Sequence, residues 1–334
     1  FSAANAFYDS LIVNVAEPEQ FDAVSAYGYA LGYVGGGLLF AFNLTTVIRP
    51  SWFGIADPSE AVRLSFFSVA LWWLVFTIPV LLNVPEPRSA VRVGVVGAIR
   101  AGFRQLADTL HELRKLRVVL TFLVAYWLYI DGVHTIVRMA VDYGLALGFQ
   151  ANDLIGALLV VQFVGFPAAL GFGKLGDVMG VRRAIFLAIG FYLMITLWGT
   201  MVTRKAEFYI LAVMIGLVQG GIQALSRSYY ARLIPRHRTA EYFGFYNMLG
   251  KFATIIGPSL MGLVGLTVKR SLLPPAPSAA DLAHYGQVAS RWSIGSVALL
   301  FLIGGILFYF VDEKQGRAEA ARLSDTETKP SSSG

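Results

Sequence analysis

The chain has 334 residues, 56% of them hydrophobic and 14% charged, and a mean hydropathy of +0.61. Soluble domains carry roughly a quarter charged residues, so water is not the main solvent of this chain. The net charge of +6 reads as basic loops facing a cytoplasm rather than as a nucleic-acid surface. The absence of cysteine excludes disulfides and thiolate chemistry, and His111, His134, His237 and His284 are too scattered to suggest a metal site; no cofactor is expected.

Taken in chain order, the apolar residues fall into runs of about 18 to 26, the length that crosses a hydrocarbon core of roughly 30 Å at 1.5 Å per residue. Residues 1–15 are apolar but too short to cross, lack an initiating methionine and a basic leader, and read as the end of a further span. Eight complete spans follow, at 23–48, 64–84, 118–140, 154–172, 184–203, 208–231, 243–268 and 294–311. The polar connection 85–117 holds Arg88, Arg92, Arg100, Arg104, Arg114, Lys115 and Arg117, which places it in the cytoplasm by the positive-inside rule. Alternation then puts seventeen basic residues on that side against seven on the other, with the C-terminus also cytoplasmic. Phe103, Leu106, Leu110 and Leu113 recur at helical spacing, which predicts an amphipathic helix on the inner membrane surface. The polar tail after Asp312 is expected to be disordered.

Six spans follow the central connection and three, one of them cut, precede it. Two equivalent six-helix halves joined by a cytoplasmic loop account for this, with about three and a half N-terminal helices missing upstream. The expected organisation is thus an all-α membrane protein. Residues 1–84 are the remainder of an N-terminal half (the end of span four, spans five and six), 85–117 the central loop, 118–311 a C-terminal half (spans seven to twelve) and 312–334 a disordered tail.

Polar groups within spans are costly unless they face a bundle interior or a water-filled cavity, so they mark the lining helices. Spans six, nine and twelve hold no charge, and their only amide is Asn83, which predicts that they face lipid. Span seven carries Asp131, His134 and Arg138 at i, i+3 and i+7, which suggests one face. Asp131 lies about 20 Å from the inner end, too deep to reach water easily, and with His134 is a candidate for handling protons or solute. The alternative for Asp131 is a structural ion pair with Arg138 or another base. Arg138 and Arg227 read as anchors extending to the interfaces. Gln162, Gln219 and Gln223 sit near the midplane and suit a polar solute or, alternatively, bonds between helices; Lys251, one turn after Asn247 in span eleven, is placed either to meet an acidic group of solute or protein or to extend to the inner interface. Span five has a small-residue series at Gly28, Gly32 and Gly36, read as helix packing, and Gly257-Pro258 suggests a kinked span eleven.

The loop after span eight has Gly173, Leu175, Asp177, Gly180, Arg182 and Arg183 at the spacing G-x-L-x-D-x-x-G-x-[RK]-[RK]. It resembles the signature of the major facilitator superfamily. The resemblance implies that fold and a role for Asp177, Arg182 and Arg183 in tying neighbouring helices at the cytoplasmic face. Five stretches resemble, within that superfamily, the vacuolar-effluxer-like family whose fungal members export amino acids: Phe7 to Leu11, Gly28 to Tyr33, Asp131 to Ile136, Gln219 to Ser228 and Phe243 to Asn247 with Gly250 and Lys251. Span five is also similar to the G-x-x-x-G-P-x-x-G-G motif of proton-coupled exporters, with Tyr33 where that motif has proline.

The expected function is secondary active export, by alternating access, of a small polar solute, with an amino acid as leading candidate and protons as possible coupling ion. The partners are lipid and solute, the state a monomer and the location a bacterial-type inner membrane. A proton-coupled sugar or drug transporter is the alternative, with Trp127 and Tyr129 as stacking residues for a sugar; a non-transporting scaffold is the other. Hydrolase, zinc-protease and nucleotide-loop motifs are absent from the sequence, which argues against an enzyme.

Overall fold

The computed structural model describes residues 2–84, 104, 109, 111–114 and 116–328, and among them only helices, turns and bends occur. In chain order the helices are α1 (Ser2–Ser10), α2 (Ile12–Val15), α3 (Phe21–Ile48), α4 (Pro58–Asn83), α5 (Arg117–Ala146), α6 (Ala151–Met179) and α7 (Val181–Gly199). They continue as α8 (Lys205–Leu233), α9 (Thr239–Phe252), α10 (Ile256–Leu272), α11 (Ala279–Ser296), α12 (Ala298–Tyr309) and α13 (Glu313–Thr328).

Local chemistry sets many of the boundaries. Asp57 accepts from the Ser59 amide at 3.0 Å, and Pro58 takes the first helical position of α4, where its missing N–H has no cost. Ser278 and Asp281 exchange backbone and side-chain bonds at 2.9 and 3.1 Å to start α11. Gly180, at φ +87°, is the single residue between α6 and α7, in a conformation that a side chain would strain.

Among the described residues, eight helices or helix pairs are long and apolar enough to cross a membrane, in agreement with the eight expected spans. Their ends run past the apolar runs, as in α6, because helical hydrogen bonding continues into the polar boundary. Span eleven is broken into α9 and α10, and span twelve into α11 and α12, which begins at Ala279 rather than near 294. As expected of span six, α4 buries none of its most apolar window. Spans nine and twelve are less peripheral than expected: each buries 44% of that window, because α12 packs against both α5 and α7.

The tail requires a correction. Instead of being disordered, Glu313–Thr328 forms α13, started by Asp312 accepting from the amides of Lys314 and Gln315 at 2.9 and 3.2 Å. Gly316 lies against Leu233 and Val118, and Ala320 is buried, so apolar contact holds the helix to α5 and α8. In the central connection, Leu113 is buried; Phe103, Leu106 and Leu110 of the expected amphipathic helix lie outside the described residues.

The functional region is framed by α3 laid across α6 and α8, and by α1 packed on α9. Behind it, an aromatic cluster fixes α5 against α8, α9 and α12. Phe122 lies 5.6 Å from Tyr230 and 6.1 Å from Phe308, and Tyr126 stacks on Tyr246 at 4.2 Å between ring centres. Such pairs add about 0.5–1.5 kcal/mol each beyond their buried area.

Candidate functional site

Where α1 and α3 meet α5, α6, α8 and α9, a cavity of about 530 Å³ opens, lined mainly by polar side chains. Six of the residues singled out from the sequence line it together: His134, Gln162, Gln219, Gln223, Asn247 and Lys251. His134 Nδ1 and Gln219 Oε1 are buried without a protein hydrogen-bond partner, a capacity that is costly to leave unmet. Gln162 and Gln219 also border a second, apolar chamber of about 250 Å³ between α3, α5, α6, α7 and α8, so the two amides stand at a polar–apolar boundary.

Asp131 is not part of this lining. It is fully buried, and its carboxylate accepts from Thr135 Oγ1 at 3.0 Å, the Ile256 amide at 3.1 Å and the Gly257 amide at 3.0 Å. Three residues of helix turn a side chain through about 300°, so Asp131 and His134 point about 60° apart. That offset suffices for one to face α10 and the other the cavity. The alternative of an ion pair with Arg138 is also absent among the described residues; the carboxylate is satisfied by N–H groups and the Thr135 hydroxyl, and Arg138 is exposed.

Arg227 is the principal residue that the sequence reading misplaced. It is 5% exposed and does not reach an interface. Its guanidinium donates to Asp9 Oδ1 at 3.0 Å, Ser25 Oγ at 2.9 Å and the Ser25 carbonyl at 3.3 Å, and lies over the Tyr29 ring at 5.0 Å. Asp9 accepts in turn from Asn247 Nδ2 at 2.9 Å, so one carboxylate holds α8 and α9 to α1. Burial of such a charge is tolerated because every face of the planar group meets a partner. A signal was present: Arg227 continues the stripe of Gln219 and Gln223 at i+4, on one helix face. Tyr8, Tyr29, Tyr33, Tyr126 and Tyr246 also line the cavity. Trp127 and Tyr129, the stacking residues of the sugar alternative, are not in its lining. Tyr129 is fully buried and bonds to Ser226 at 2.7 Å, and Trp127 packs against the aromatic core.

Beyond Arg227, towards the end of α8, ion pairs join α8 and the segment after it to residues 17–22. Arg232 clasps Asp22 with two bonds, at 2.9 and 2.6 Å, and exposed Arg236 lies 3.7 Å from Glu17. The small residues of α3 allow this approach. Gly28 stands against Arg227 and Tyr8, Gly36 against Gln162, and Gly32 opens onto the cavity, so the series serves the site as well as packing. Pro258 falls in the first turn of α10, where it accompanies the break in span eleven without distorting a helix interior.

In the glycine-aspartate-arginine loop, Gly173 faces Ala26 of α3. Arg182 donates to the Tyr309 carbonyl at the end of α12 and lies 5.9 Å from the centres of both the Phe186 and Tyr309 rings. Arg182 therefore ties two helices. Asp177 and Arg183 are exposed and have no polar partner among the described residues.

Comparison with known proteins gives a consistent assignment. The profile of the family described as "Vacuole effluxer Atg22 like" matches residues 13–267. An uncharacterized MFS-type transporter, YxiO, of Bacillus subtilis (strain 168) is 35% identical over 97% of this chain and 71% of its own length. Autophagy-related protein 22 of Coccidioides immitis (strain RS) is 27% identical over 95% of this chain and 53% of its own. The protein of the same name in Yarrowia lipolytica (strain CLIB 122 / E 150) is 28% identical over 91% and 52%. The chain spans about half the length of these fungal relatives.

Proposed function

Since the chain belongs to the Atg22-like vacuole effluxer family of membrane transporters, we propose that the polar cavity is the solute site of a secondary transporter working by alternating access. One observation carries this reading. The cavity lies between residues that precede the central connection and residues that follow it, and ion pairs, Asp9 with Arg227 and Asp22 with Arg232, bridge the two segments. Residues 1–84 and 118–311 then act as parts of two halves that rock about the cavity, with 85–117 as their cytoplasmic link. Breaking the pairs opens the end that the basic loops assign to the cytoplasm.

The proposed cargo is a small polar solute, with an amino acid as leading candidate and export as the direction. Lys251 suits a carboxylate, and Gln162, Gln219, Gln223 and Asn247 supply donors and acceptors of both kinds. A proton is the proposed coupling ion, with His134 as the titrating group that faces the cavity. The loop motif acts in gating through Arg182, with Asp177 and Arg183 meeting partners in another state of the cycle. The protein works as a monomer in a bacterial-type inner membrane.

A sugar is the second reading, favoured by the five tyrosines in the lining. Vesicles carrying the full-length protein and loaded with labelled amino acids or sugars decide between them. Gln223→Ala and Lys251→Ala should each raise the KM for the true cargo about tenfold, the worth of one charge-assisted or well-buried hydrogen bond. Amino acids that stay put while sugars move would overturn the first reading, and movement of neither would overturn both.

A further inference from the structure

We propose that Asp131 is a positioning residue that pins the outer half of span eleven to span seven and fixes the break at residues 253–255, and with it the placement of α9. The inference rests on the reading of the cavity as a solute site, since α9 carries the Asn247 and Lys251 side chains that line it.

The N–H groups that open α10 account for the geometry. A helix leaves its first amides without internal partners. Here Ile256 and Gly257 donate theirs to the two oxygens of Asp131, Pro258 has none to donate, and Ser259 closes the first bond of the helix to the Ile255 carbonyl at 3.1 Å. Every leading donor is thereby satisfied, and a carboxylate at a helix N-terminus adds the favourable interaction with the helix dipole. With three donors on it and no exposed surface, Asp131 has no remaining room for a solute. The approach depends on Gly257. A β-carbon there would lie 1.9 Å from Thr135 Oγ1 and 2.7 Å from Asp131 Oδ1, distances no side chain can occupy.

The two halves of span eleven keep different company. The outer half, α10, packs on α11 and α5, whereas α9 packs on α1 and α5 and is bonded through Asn247 to Asp9. Asp131 therefore sets the angle at which α9, which carries Lys251 into the cavity, meets α10 on span seven.

The test uses the full-length protein in vesicles, with spin labels on cysteines introduced at Met248 in α9 and Leu263 in α10, both exposed positions. Asp131→Asn replaces one acceptor oxygen with a donor that faces an N–H. It should broaden the label-to-label distance distribution and lower gradient-driven movement and counterflow exchange in the same proportion, about tenfold. Thr135→Val keeps the carboxylate, should fold if the asparagine variant does not, and should produce a smaller change in the same direction. A distribution identical to that of the unsubstituted protein in either variant would overturn the proposal. So would an asparagine variant that keeps full counterflow and loses only gradient-driven movement, because that behaviour belongs to a proton carrier. The distances are read whether or not any solute moves, so failure of the transport reading is distinguishable from failure of this one.

Discussion

Arg227 in α8 and Asp9 in α1 form an ion pair 3.0 Å long, with side chains 6% and 13% exposed, across 218 residues of sequence. Removing one member of a buried pair leaves the other uncompensated and typically costs about 3–5 kcal/mol. Arg227→Ala should destabilise the full-length protein by that order in detergent unfolding. Arg227→Lys should recover only part, since an ammonium cannot reach Asp9 and both oxygens of Ser25 together. Equal stability of the lysine and arginine forms would show that the fork on Ser25 contributes nothing.

The two pairs beyond Arg227 should behave differently from each other. Asp22 and Arg232 are 5% and 10% exposed and joined by two bonds, whereas Glu17 and Arg236 are 75% and 57% exposed at 3.7 Å. Asp22→Asn should cost about 3 kcal/mol and increase labelling of cavity cysteines from that end. Glu17→Gln should change stability by less than about 0.5 kcal/mol. Similar effects from the two substitutions would contradict the assignment of closure to the buried pair.

Tyr33 is clasped between two helices. A β-carbon on Gly165 of α6 would come within 2.8 Å of its ring, and one on Gly220 of α8 within 2.7 Å. Gly220→Ala should therefore cost about 1–3 kcal/mol by overpacking, and adding Tyr33→Ala should recover much of that loss. The double-mutant cycle measures the coupling; simple additivity would mean that the ring yields without strain.

Asp57 gives a pH-dependent element outside the spans. The side-chain and backbone hydrogen bonds from Ser59 hold its carboxyl below the ordinary value of 3.8. A depressed folded-state pKa means that the cap contributes above the unfolded value and is lost as pH falls through the lower folded one. Protection of the Ser59 and Glu60 amides, measured relative to their intrinsic exchange, should fall through that acid window, and Asp57→Asn, which keeps an acceptor, should flatten the response. An unchanged acid response in the asparagine variant would assign the effect elsewhere.

The amino-acid sequence by itself determined the solvent, the eight spans and which helices carry polar groups, because burial in lipid demands long apolar runs and self-satisfied backbones. It also singled out Gln162, Gln219, Gln223, Asn247 and Lys251, since amides and cations at depth are too costly to face lipid. Only the tertiary structure decided how those groups were used. Spacing along one helix cannot say which neighbour each side meets, and a turn of about 60° separates the clamp at Asp131 from the cavity wall at His134. Nor can it pair Asp9 with Arg227, because that contact is made by helix packing between segments far apart in the chain. The polar tail became α13 for the same reason: the apolar contacts of Gly316 and Ala320 exist only once α5 and α8 are side by side.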